Sequence, residues 1–244
     1  MKIDTFKRIG KHHLNNCEDS NGAFQIGQDR YLISVSGGCS MGDESHFASS
    51  LFMKLLREIC KEDFHLEFRR NDQITLEDLM KELFSKFFNR LKQIKTVGSL
   101  GKYDLLATLI IGLVDVKDNK FVAVVIGDGL IVVDGKIHEF DQDNQPDYIG
   151  YHVDKNFLDW YSSQDQIFSG GIEFSMSVVT DGIFTFSNEI DEQVTVSKEQ
   201  SIMKYLLIKQ NPSEVNECQN KMDSLLKNES LSTNDDLAIT RIIL

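Results

Sequence analysis

The stretch from residue 105 to residue 137 reads LLATLIIGLVDV (105–116), KFVAVVIGD (120–128) and GLIVVDGKI (129–137), three runs rich in branched apolar residues. Asp118-Asn119 joins the first two, and Gly127-Asp128-Gly129 joins the second to the third. Val and Ile suit a pleated, half-buried surface, while Asn, Asp and Gly supply turn backbones, so the runs predict antiparallel neighbours. Working outward, YLISVS (31–36) predicts a strand ending at Gly37-Gly38, FSMSVVT (174–180) one that turns at Asp181-Gly182, and LAITRII (237–243) a last strand.

Helical spacing fills the gaps. Phe47, Leu51, Phe52, Leu55, Leu56 and Ile59 predict an amphipathic helix from about Ser45 to Ile59. A second is expected from about Leu76 to Lys95, with Thr75 as N-cap, Glu77 and Asp78 in its first turn, and Leu79, Leu83, Phe87 and Leu91 as its apolar stripe. Two more helical patterns occupy 197–210 and 213–228, and the segment from Phe140 to Gly171 reads as polar and irregular. Strands gathered into hairpins, with helices grouped between them, predict an α+β fold: a packed pair of antiparallel sheets covered by helices.

Composition narrows the functions. The 244 residues carry 26 Lys plus Arg against 38 Asp plus Glu, a net charge of −12 that argues against nucleic acid as a partner. At 41 % hydrophobic and 26 % charged the chain reads as an ordinary globular protein. Its two prolines, Pro146 and Pro212, mark no linker, so a single domain over 1–244 is expected. No window is apolar enough for a membrane span, and MKIDTFKRIGKHHLNN lacks a signal-peptide core, which predicts a cytoplasmic protein with no membrane partner. Cys17, Cys39, Cys60 and Cys218 form no CxxC pair and are expected to be reduced thiols.

Acidic residues recur at strand ends and in tight turns: Glu18-Asp19, Asp128 between glycines, Asp181 before Gly182, and Asp235-Asp236 before the last strand. Turns collect Asp beside Gly for local reasons, so no one of them is decisive. Jointly they predict carboxylates that converge on a hard divalent cation, which would lower the pKa of a bound water and hold a phosphoryl group.

The series GKHHLNNCEDS (10–20), ISVSGGCSMG (33–42), ATLIIGLV (107–114), VVIGDG (124–129), VVTDGI (178–183) and NDDLAI (234–239) resembles the motif order of the metal-dependent protein phosphatase 2C family, in particular its compact bacterial branch. The resemblance implies a central antiparallel β-sandwich flanked by helices on both sides, in four layers α-β-β-α. It further implies two Mn²⁺ or Mg²⁺ ions at one end, and hydrolysis of phosphoserine and phosphothreonine by a metal-activated water without a phosphoenzyme. The implied partners are a phosphorylated protein substrate and, for the bacterial branch, a cognate kinase, although no residue here shows one.

Carried over by position, the resemblance makes Asp19, Asp181 and Asp235 metal ligands and gives Gly38 the backbone carbonyl that faces a metal. Glu18 would bind through water, and Asp236 stands where the family commonly has Asn. Asp128 supports the strand junction, and Asp104 is a candidate ligand for a third, looser ion. His13 and Arg8 are candidate phosphate contacts, His13 also a general acid for the leaving oxygen; an exposed loop histidine is the plain alternative. Segment 140–171 falls where the family has its variable flap; its aromatics Tyr148, Tyr151, Phe157, Trp160 and Tyr161 either pack onto the body or touch substrate. Asp141, Asp143 and Asp147 do not make a calcium loop, because Pro146 stands where Gly is needed, and GGCSMG (37–42) is not a dinucleotide fingerprint.

The pattern breaks at Gly37, where the family carries the aspartate that bridges both metals. Without that anion two cations repel each other with less compensation, which predicts a weakened or inactive centre. Natural loss, an introduced replacement, and a substitute carboxylate at Asp43 or Glu44 stand as explanations. A noncatalytic module that binds a phosphoprotein or signalling partner through the same groove is the alternative function.

Overall fold

The computed structural model describes residues 1–42, 44–67, 74–142, 145–190, 192–209, 211 and 214–244, so Asp43, Asp143 and Pro212 lie outside the described residues. In chain order the elements are strands β1 (Lys2–Arg8), β2 (Ser20–Gln25) and β3 (Arg30–Ser36), then helices α1 (Phe47–Glu67) and α2 (Leu76–Val97). Strands β4 (Leu109–Asp115), β5 (Lys120–Ile126), β6 (Gly129–Val133) and β7 (Lys136–Phe140) follow, then α3 (Phe157–Ser162), β8 (Ile167–Gly171), β9 (Ser175–Val179) and β10 (Phe186–Ser187). The chain closes with α4 (Val196–Met203), α5 (Glu217–Glu229), β11 (Ser232–Thr233) and β12 (Leu237–Ile243).

Two five-stranded antiparallel sheets form, ordered β1-β12-β9-β6-β7 and β2-β3-β4-β5-β8. The period of two in each strand sorts its side chains between two covers. Leu109, Ile111 and Leu113 of β4 and Val122, Val124 and Ile126 of β5 pack under α1 and α2. Their alternates Ile110, Val114, Ala123 and Val125 meet Ile131, Val178, Ala238 and Ile242 of the facing sheet. Leu130, Val132 and Ile239 turn the other way, under residues of α4 and α5 such as Ile202, Met222 and Leu225. The molecule is therefore α+β, with layers α-β-β-α.

The structure extends or corrects four sequence readings. Helix α1 runs past Ile59 to Glu67: Cys60 is still buried in the core, and buried Asp63 pairs with Lys86 of α2 and carries the helix contact further. Run 129–137 is a hairpin of two strands, turned at Asp134-Gly135 with φ of 50° and 81°. Segment 140–171 is not irregular throughout: it holds α3, and β8 joins the edge of a sheet beside β5. The pattern at 197–210 is α4 followed by a π-helical turn, Lys204–Ile208.

Antiparallel pairing gathers chemistry at one end. Asp19 precedes β2, Gly37-Gly38 follow β3, Thr108 precedes β4, Asp128 lies between β5 and β6, Asp181 follows β9, and Asp235-Asp236 precede β12.

Candidate active site

Local backbone contacts fix these ends against each other. A bridge pairs Gly38 with Ala107, the Thr108 amide donates to the Gly37 carbonyl at 2.9 Å, and the Gly37 amide donates to Thr108 Oγ1 at 3.0 Å. On the facing sheet, a Cβ at Gly182 would lie 1.9 Å from the Asp236 carbonyl oxygen, so only glycine lets the Asp181 turn lie on the start of β12. Gly10 presses on Asp235 in the same way, with a Cβ position 2.3 Å from its carbonyl carbon. The loop carrying His13 and Glu18 is thereby seated on Asp235 and Asp236.

The ends enclose a cavity of about 160 Å³ whose walls include His13, Glu18, Asp19, Gly38, Asp181 and Asp235. Asp19 is 5 % exposed, and its Oδ2 has no hydrogen-bond partner among the described residues. Burial, and after it the charge of Asp181, holds the Asp19 carboxyl well above the usual range. Asp181 is pushed up to about 7, first by burial and then by Asp128 and Asp235. Asp128 is raised too, by burial and then Asp141, and its Oδ1 lacks a partner among the described residues. Buried carboxylates that raise one another, with open lone pairs, fit a hard divalent cation; an all-oxygen donor set is what Mg²⁺ and Mn²⁺ prefer.

Asp236 is itself held by the backbone. Its Oδ1 accepts the Gly10 amide at 2.7 Å and its Oδ2 accepts the Glu18 amide, which ties the loop to β12. Its Oδ2 also lies 3.0 Å from His13 Nδ1. Burial lowers the His13 pKa, but Asp236, Glu18 and Asp235 outweigh it and the net shift is upward.

The carboxylate missing at 37 is missing from the middle of the cluster. A Cβ built on Gly37 lies 3.0 Å from Thr108 Oγ1, 3.4 Å from Asp19 Oδ1 and 3.9 Å from Asp181 Oδ1. An aspartate there would place its carboxylate among Asp19 and Asp181. Glu44 does not replace it: its side chain is 73 % exposed and faces His46 at 4.0 Å. Asp43 lies outside the described residues.

Other expected residues stand elsewhere. Arg8 lies over the Phe6 ring and pairs with Asp223 of α5, not on the cavity wall. Asp104 accepts the Gly101 amide at 2.7 Å and caps its own loop. In the flap-like segment Trp160 packs on Phe88 with ring centroids 4.4 Å apart, and Tyr161 on Phe84 at 5.9 Å, so these aromatics serve the body. Tyr148, one of the flap aromatics named from sequence, instead reaches the cavity with Cys39, which the sequence did not place there, and burial followed by its hydrogen bond to Cys39 pushes its phenol upward.

A larger cleft, of about 990 Å³, lies at the opposite end of the sandwich and includes Arg30 and Asp115. There Arg30 Nε donates to Asp115 Oδ2 at 3.0 Å, while Asp115 Oδ1 accepts two backbone amides. That carboxylate is satisfied by the protein itself, and size alone does not make the cleft a site.

A family model for protein phosphatase 2C matches residues 9–227. The chain belongs to the protein phosphatase 2C family. No curated protein matches its sequence. Among solved structures, a bacterial serine phosphatase is similar over 100 % of this chain and 97 % of its own, with 14 % identity and a TM-score of 0.62. Stp1, a serine/threonine phosphatase from Staphylococcus aureus, covers 100 % and 94 % with 15 % identity and a TM-score of 0.62. The phosphatase domain and regulatory fragment of SpoIIE from Bacillus subtilis match 99 % of this chain and 64 % of that one, at 16 % identity and a TM-score of 0.59. At these identities the likeness is one of fold, and within the phosphatase 2C fold the acidic cavity lies at the end of the sandwich.

Proposed function

We propose that this protein is a metal-dependent serine/threonine phosphatase, acting on phosphoserine and phosphothreonine in proteins, whose centre is weakened or silenced by glycine at position 37. The observation that carries this reading is the direction of the Gly37 Cβ, which points among Asp19 and Asp181. Asp19, Asp181, Asp235 and the Gly38 carbonyl are the groups that would hold Mn²⁺ or Mg²⁺, with Glu18 acting through water. When bound, such ions supply Lewis acidity toward a phosphoryl oxygen and a nucleophile from water at neutral pH.

The chain's own residues do the rest. His13 stands on the cavity wall with Nε2 3.9 Å from Glu18 Oε1, within reach of a phosphoryl oxygen entering the cavity. An N–H of that imidazole donates to the phosphate. Arg8 reaches a phosphate only by leaving Asp223. The whole of 1–244 acts as one phosphatase domain. Its substrate is a phosphorylated protein, its counterpart a cognate kinase, and its place the cytoplasm, in keeping with four unpaired cysteines. Among the described residues no helix is long and apolar enough to cross a membrane.

Gly37 also supports a second reading, a noncatalytic module that holds a phosphoprotein in the same groove. A phosphothreonine peptide separates the two. Under the phosphatase reading, phosphate release depends on Mn²⁺ and stops with chelator; under the module reading, peptide binding survives chelation and no phosphate is released with Mn²⁺ present. Release that is indifferent to chelation contradicts both.

A further inference from the structure

We propose that His13 is a metal ligand: its Nδ1, with the carboxylates of Asp235 and Asp236, forms an imidazole-containing subsite for a divalent cation beside the Asp19 and Asp181 pair. The inference rests on reading the cavity as a divalent-cation centre and adds a ligand that the all-oxygen reading lacks.

Three observations meet at this point. One nitrogen of His13 and one oxygen from each of Asp235 and Asp236 lie within 4.8 Å of one another. Nδ1 is 3.0 Å from Asp236 Oδ2 and 3.7 Å from Asp235 Oδ1. Ligands about 2.1 Å from a shared ion stand ~3.0 Å apart at an octahedral edge and ~3.4 Å apart at a tetrahedral one, so the Asp236 separation matches an octahedral edge, while the Asp235 separation is a little wider than either edge and closes onto the same ion with a small turn of its half-exposed side chain. Second, although Nδ1 lies close to Asp236, it is enclosed and makes no well-formed hydrogen bond among the described residues. Third, Asp19, nineteen-twentieths buried at 5 % exposure, lines the same cavity with Oδ2 unpartnered.

The protein has already arranged this corner. Asp236 is 1 % exposed and held by the Gly10 and Glu18 amides, so its carboxylate is fixed before any ion arrives. With Nδ1 on the ion, the imidazole carries its proton on Nε2, the nitrogen facing Glu18, and keeps a donor for phosphate. Imidazole favours borderline ions such as Zn²⁺ and Co²⁺ over Mg²⁺. Loss of the carboxylate at 37 and addition of this nitrogen therefore shift selectivity in the same direction.

The test uses the full chain, stripped of metal by chelation. Pulsed electron paramagnetic resonance of added Mn²⁺ reads coordinated nitrogen directly on the unaltered protein, and calorimetric titration with Co²⁺ and Mg²⁺ compares it with His13→Gln. The expected result is a nitrogen coupling in the unaltered chain, and Co²⁺ affinity that falls at least about tenfold in H13Q while Mg²⁺ affinity holds. Mn²⁺ bound without nitrogen coupling overturns the inference alone and leaves His13 as an imidazole ion-paired with Asp236. If neither this chain nor G37D takes up any divalent ion, the cation centre itself falls, and the inference with it.

Discussion

Gly37 sets the electrostatics of the whole cavity at the scale of one residue. Restoring an aspartate inserts a charge beside two buried carboxylates already raised by burial and by neighbouring acidic charges. Its Cβ, 3.0 Å from Thr108 Oγ1, also needs that side chain to give slightly. G37D is therefore expected to be less stable than the parent in chelator, by about 0.5 to 3 kcal/mol, the usual span for a destabilising single substitution, because the new carboxyl can take up a proton as its neighbours do. It is also expected to gain more from Mn²⁺; thermal melts of both chains with and without the ion check this.

Asp181 gives a second residue-scale expectation, with its sign fixed by proton uptake. Its ordinary pKa of 3.8 is pushed up to about 7 in the fold, so between these values the native chain holds a proton that the unfolded chain has released. Metal-free stability thus declines as pH rises from about 4 to about 7, and D181N removes that part of the slope. Denaturant midpoints at pH 5 and pH 7.5 in chelator measure it; an identical pH dependence in D181N would contradict the assignment. How far single residues could be read from sequence follows the same physics. Asp19, Asp181 and Asp235 stand out because turns display them, while the gap at 37 shows only against the family's motif, which has aspartate there. The role of Asp236 does not, because it depends on the Gly10 and Glu18 amides arriving from the loop between β1 and β2.

At the scale of elements, α5 is anchored by charge inside the protein. Glu217, with no exposed side-chain surface, lies 2.6 Å from Lys221 Nζ and 3.9 Å from Arg241 Nη1, and Arg241 is 0 % exposed on β12. Arg241 also donates to Ser177 Oγ on β9 and to the Leu206 carbonyl in the π-helical turn. Glu217→Ala leaves a buried guanidinium without its carboxylate and is expected to cost about 3 to 5 kcal/mol in denaturant unfolding. A loss under 1 kcal/mol would show that Arg241 is satisfied by its neutral acceptors.

Elements differed in how plainly sequence announces them. Strands β4, β5 and β6 are covered on both faces, so they appear as continuous apolar runs. The edge strand β1 mixes charges with buried Asp4 and Phe6, and β8 ends in exposed glycines; neither carries a strand-like apolar signal. Helix α3 is only six residues long, and Trp160 finds its partners on α2, beyond the reach of local periodicity.

At the scale of the molecule, two antiparallel sheets bring residues from 13 to 236 to one end of one sandwich, while the opposite cleft keeps its carboxylate satisfied. The order of motifs made that convergence legible; the distances did not follow from it, because they depend on how one sheet sits on the other. The central claim is that the missing carboxylate at 37 limits an otherwise assembled phosphatase centre. The direct measurement is kcat/KM for Mn²⁺-dependent hydrolysis of a phosphothreonine peptide by this chain and by G37D. The expected result is turnover in G37D at least about a hundredfold above the parent, the scale on which one preorganised transition-state contact acts. Turnover in the parent equal to or above that of G37D, or no turnover in either, would contradict it.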